Sequence, residues 1–150
     1  MERLVTKGSS GQHKERIPKT IDDRVKQIHN MLNMLKAIAI THLNSSFQTF
    51  LQMKIYGIQS IKMTIALSEM KINDQGKSVH RQVLTATIST RYQERNKRLG
   101  IFNMVAYMLT ALETQVDNLT ILDDEQEGKI NVKTEEKVQV KLCTVIPVMQ

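Results

Sequence analysis

Charge is spread very unevenly along this chain, and that limits what it can fold into. Between Ala37 and Leu67 only Lys54 and Lys62 are charged, and between Ile101 and Leu122 only Glu113 and Asp117. Two long stretches are thus suited to burial, and the basic residues crowd the segments around them. The first 100 residues carry a net charge of +10 and the last 50 a net −4. Such asymmetry favours an anionic partner at one end, or charge-matched self-assembly.

With 150 residues, the chain suits one domain with an adequate core. That core has no Trp, three Phe and three Tyr to draw on, so Ile, Leu, Val, Ala and nine Met must fill it. An aliphatic mix of this kind suits helix–helix seams better than a β-sandwich, where aromatics are enriched. The single cysteine, Cys143, excludes an intramolecular disulfide and a Cys-cluster zinc site, and fits a reducing compartment. Read as part of an apolar strand, it is expected to be a buried, inert thiol. Met1–Gly11 has no apolar core of a secretory signal, and polar residues from Thr41 to Ser46 interrupt the best candidate for a membrane span. These signs point to an intracellular location, cytoplasmic or nuclear, with no membrane span.

Residues 1–17 combine Gly, Ser, His and basic residues without an apolar period and read as a flexible basic arm. Thr20 is a plausible N-cap after Pro18, with Asp22 and Asp23 in the first turn of a helix. From there Ile21, Val25, Ile28, Leu32, Leu35 and Ala39 step by three and four, the rhythm of a helical seam. Past Leu43 two apolar stripes continue to Ile65, which implies a helix buried on two sides, with a kink at Asn44-Ser45-Ser46. Asn73-Asp74-Gln75-Gly76 is a strong turn signal.

Val79–Thr90 fits both strand and helix, and the surface-helix composition that follows favours helix. Leu99, Phe102, Ala106, Leu109, Glu113, Val116 and Leu119 continue helically, and Asp123–Gly128 reads as an acidic loop. In the tail, Ile130 and Val132, then Val138, Val140 and Leu142, alternate with polar residues, which suggests a β-hairpin. The expected fold is therefore mainly α, an antiparallel helical bundle or long helical hairpin with a C-terminal β-hairpin, α+β being the alternative. Its parts are the arm (1–17), a helical domain (18–122), and an acidic loop with a hairpin tail (123–150).

Arg91, Arg95 and Arg98 would share a helix face at i, i+4 and i+7, with Lys97 beside them and Arg81 upstream. Guanidiniums so placed bind phosphates through paired N–H groups, with salt-dependent affinity. Tyr92 is the one ring nearby, so backbone binding of nucleic acid is favoured over base recognition. Ile21, Val25, Ile28, Leu32 and Leu35 are the candidate interface, whether within the chain or between copies. The methionines read as gap-filling core, with a Met-lined groove for a partner helix as the alternative. The four histidines share no metal-binding spacing, and no nucleophile, dinucleotide or phosphate-loop pattern occurs. No catalytic residues, metal, cofactor or small-molecule substrate are expected. The sequence thus suggests a non-enzymatic assembly or scaffold protein, self-associating, with a basic face for an anionic partner. A nucleic-acid-packaging or RNA-binding nucleoprotein component, or a monomeric adaptor that clasps a partner helix, are the alternatives.

Overall fold

The structure, a computed structural model, describes residues 4–8 and 17–145. It overturns the expected helical bundle: the fold is a mixed α+β arrangement built around a sheet. The segments expected as one long buried helix and as an ambiguous helix are strands β2 (Ile55–Ile61), β3 (Thr64–Ile72) and β4 (Ser78–Thr87), paired as an antiparallel meander. Strand β1 (Leu4–Gly8), inside the segment expected as an arm, pairs parallel with β2, Leu4 opposite Tyr56. The rest of that arm up to residue 16 lies outside the described residues. Between β1 and β2 run helix α1 (Ile17–Thr41) and the short α2 (Phe47–Leu51), a crossover of the kind parallel neighbours need. Helix α3 (Arg98–Gln126) follows β4, and α4 (Val138–Val145) stands where the tail hairpin was expected.

Register shows why the sheet is hidden. Ile55 and Gly57 lie opposite Met70 and Ser68, on the face turned to α1; Tyr56 and Ile58 lie opposite Glu69 and Leu67, on the face turned to α3. On the α1 side Met31, Leu35, Ile38, Phe50, Met53, Ile55 and Met70 pack together. On the α3 side Tyr56, Leu67, Ala86 and Met104 form a second core, flanked by Ile58, Leu84 and Met108. A strand covered on both faces carries no clean polar alternation, so its apolar run resembles a two-sided helix. Ile55, Ile58, Ile61, Thr64 and Ile65 then settle the matter, since β-branched side chains favour a pleated strand.

The β2–β3 turn is only Lys62-Met63, with Lys62 in the left-handed region at φ 53°. Without Gly or Asn it gives no turn signal in the sequence. The β3–β4 turn does, and it forms as read: Asn73 Oδ1 accepts from the Gln75 and Lys77 amides, and Gly76 takes φ 73°. Helix α3 runs through the expected acidic loop and stops at Gly128, φ 77°. There the Gly128 amide donates to the Glu125 carbonyl and the Lys129 amide to that of Asp124.

Helix α1 approaches the sheet closely at Gly57, where a Cβ would sit 2.8 Å from Met31 Sδ and 3.0 Å from Gln27 Nε2. At Gly100, by contrast, a Cβ would make ordinary contact with Ala86 at 3.6 Å. Gly57→Val should therefore cost about 1–3 kcal/mol through overpacking. Gly100→Ala should be neutral or stabilising by up to about 1 kcal/mol. Urea unfolding of the two variants checks the contrast, and equal effects would place α1 wrongly on the sheet.

Candidate interaction surface

Strand β4 leads into a corner that carries most of the expected cations. Ser89 is buried and its hydroxyl donates to the Arg91 carbonyl at 3.0 Å, which fixes the exit from the sheet. A 3-10 turn, Tyr92–Lys97, follows, kinked at Glu94, before α3 begins. Arg91, Arg95 and Arg98 thus do not share one helix face as expected: Arg91 is extended, Arg95 lies in the 3-10 turn and Arg98 opens α3. All three are exposed at this one corner, and none has a carboxylate partner among the described residues. The Arg95 guanidinium lies 5.0 Å from the centroid of the Tyr92 ring, which is 74% exposed. Lys97 differs, being paired with Glu94 at 3.2 Å.

Arg81 is separate from this group. It lies six residues before the end of β4, about 20 Å along the strand, and its Nε donates to Glu69 Oε1 at 2.5 Å. Glu69 is almost fully buried, and Lys54 Nζ approaches its other oxygen at 3.4 Å. Two cations thus compensate a buried carboxylate, and Arg81 is one of them. Beside them Lys54, Tyr56, Tyr107, Thr114, Gln115 and Asn118 line a shallow cleft of about 260 Å³. Burial, then Tyr107 and Glu69, push the Tyr56 phenol up to about 12.

The expected interface on α1 splits in two. Leu35 is buried, and Ile28 and Leu32 pack against the core, whereas Ile21 and Val25 are both 58% exposed. The buried line at that end runs through Asp23 and Gln27 instead, and Gln27 Nε2 donates to the Ile58 carbonyl at 2.9 Å. A polar side chain can face the sheet here because the open backbone at Gly57 leaves room and a carbonyl leaves an acceptor.

Among the described residues, α3 carries more exposed large apolar side chains than any other element. Its inner face, Ile101, Met104, Met108, Ala111 and Leu122, packs on the protein. Its outer face presents Leu99, Phe102, Val105, Leu109 and Val116, which are 49–68% exposed, with Ala106 exposed among them. Of the positions expected to continue helically, Leu99, Phe102, Ala106, Leu109, Glu113 and Val116 point outward, whereas Leu119 packs partly buried against the core. Sequence spacing gave these residues as helical and assigned them no partner. Cys143, expected as a buried thiol in a strand, is exposed on a helix, whereas Met31, Met53, Met70 and Met104 are core, as expected of gap-filling methionines. Among the described residues no group of His, Cys, Asp and Glu is placed to hold a metal ion, and no helix is long and apolar enough to cross a membrane. Comparison with protein-family models, curated proteins and solved structures found no match for this chain.

The Tyr56 environment sets an alkaline limit on stability. Its folded-state value lies above the ordinary 10 of the unfolded chain, so its stabilising effect is complete below pH 10 and is lost as pH rises toward 12. Tyr56→Phe should flatten the loss of stability across pH 10–12, read from urea midpoints. Arg81→Met should destabilise by about 1–3 kcal/mol at neutral pH, because Glu69 keeps only Lys54.

Proposed function

We propose that this chain is a non-enzymatic assembly module that acts by protein–protein contact. The contact surface is the outer face of α3, and Arg91, Arg95 and Arg98 beside it anchor the acidic end of a partner helix. One observation carries the reading: α3 bears a second apolar stripe, Leu99–Val116, that its own fold leaves in water. Contiguous exposed apolar side chains with a charged border are typical of a helix-docking surface. These guanidiniums, which have no carboxylate partner among the described residues, give that surface a direction, since they favour the end of a partner that carries carboxylates.

The test uses light scattering of the full chain at micromolar concentration, alone and with a synthetic amphipathic helix bearing a Leu seam and Glu-rich ends. A mass above the monomer, or one bound peptide per chain, is expected. Phe102→Glu or Leu109→Glu should weaken either association at least tenfold, about 1.4 kcal/mol. A chain that stays monomeric and ignores the peptide overturns the reading.

A second reading rests on the exposed Tyr92 ring with Arg95 against it, a pair that suits stacking on a nucleobase beside phosphate contacts. It predicts that single-stranded nucleic acid binds with an affinity that falls steeply with salt, and that a triple Arg91, Arg95, Arg98 to Glu variant abolishes binding. Unchanged binding by that variant would remove this reading.

A further inference from the structure

We infer that the helix docking on α3 is α3 of a second copy, laid antiparallel. This rests on the reading of the outer face as a contact surface and names its occupant. Charge decides both the partner and the direction. Arg98 opens α3, and Arg91 and Arg95 lie in the extended residue and 3-10 turn just before it; none of the three has a carboxylate partner among the described residues. Further along the same helix Glu113 and Asp117 are exposed and form no ion pair among the described residues. The helix thus supplies both halves of a complementary pair, and only an antiparallel copy brings them together. Parallel packing would set Arg98 against Arg98 and Asp117 against Asp117.

The apolar seam fits the same arrangement. Leu99, Phe102, Ala106, Leu109, Glu113 and Val116 step by three and four, the spacing of residues that interdigitate between two long helices. With the twofold axis between Tyr107 and Met108, Leu99 meets Val116 of the second copy and Ala106 meets Leu109. Phe102 then lies level with Glu113, and Arg98 level with Asp117. Small Ala106 at the centre lets the helices approach, and Phe102 and Leu109 flank it. The interface is isologous, as a twofold dimer requires. Glu113 is the one charged residue in the seam, and Arg98 of the other copy, one turn from Phe102, is placed to meet it. A carboxylate at that level weakens the seam, so the dimer is expected to have a Kd in the low micromolar range, with dimer and monomer both populated across micromolar concentrations.

Sedimentation equilibrium of the full chain reads the association, and pulsed electron–electron spin resonance reads its direction. Arg98→Glu and Asp117→Arg should each weaken the dimer about tenfold, and the double variant should recover most of that loss. Glu113→Leu should tighten it at least tenfold. With Cys143→Ser and a nitroxide at Thr120→Cys, the antiparallel dimer predicts a label separation of about 38 Å from the helix rise. A parallel pair would bring the labels within about 20 Å. A short distance, or a double variant no better than its parents, overturns the antiparallel pairing. A monomer at all micromolar concentrations that still binds the acidic amphipathic peptide overturns the second copy and leaves the contact surface standing. A monomer that also ignores the peptide removes both.

Discussion

Strands β2 and β3 are covered on both faces, and the rest of the molecule is arranged to provide that cover. Alternate residues along β2 face α1 and α3, so each helix must bring an apolar face to the sheet. Burial of such side chains is worth roughly 1.5–3 kcal/mol each, which is why the chain keeps charge out of Ile55–Ala66 except at Lys62 in the turn. The close approach at Gly57 and the neutralised Glu69 are both consequences. One lets α1 descend onto the sheet; the other lets a carboxylate remain under α3.

Helix α3 is held at its far end by polar contacts from distant parts of the chain. His42 Nε2 lies 2.8 Å from Asp123 Oδ1, and the Ser45 hydroxyl donates to the Leu122 carbonyl at 2.8 Å. Glu125 accepts from the Ser46 amide and the Thr49 hydroxyl. The Val138 and Gln139 amides donate to Ser45 and Leu43 on the same turn, which docks α4 there. With this end fixed and Met104 buried near the other, α3 is not free to roll its second stripe inward. The outer face of Leu99, Phe102, Leu109 and Val116 is therefore a consequence of how the sheet is covered, and it is the feature that points to assembly.

Some of this was legible in the residues. The break at Asn44-Ser45-Ser46, the turn at Asn73–Gly76 and the helix through Leu99 to Leu119 follow from side-chain chemistry and spacing that tertiary context does not override. The sheet was hidden for a physical reason. Two-sided burial removed the alternation that marks a strand, and Lys62-Met63 closed a hairpin without the usual residues. The tail misled in the opposite sense: its alternation from Val138 to Leu142 belongs to a helix that buries Val138 and leaves Val140 exposed. In the candidate surface, Arg91, Arg95 and Arg98 were picked out by charge density and by a helical spacing that the structure replaces with an extended residue, a 3-10 turn and the start of α3. The diversion of Arg81 to Glu69 depends on strand pairing, and the outward direction of the α3 seam depends on which face the sheet claims. Neither is visible along the chain.

Native-state hydrogen exchange resolved by residue tests the central claim most directly. If the sheet buried between α1 and α3 holds the fold together, the amides of 55–61 and 64–72 exchange most slowly and only through global unfolding. Rapid exchange across 55–72, with the slowest amides confined to α1 and α3, would contradict it and return the molecule to a helical assembly.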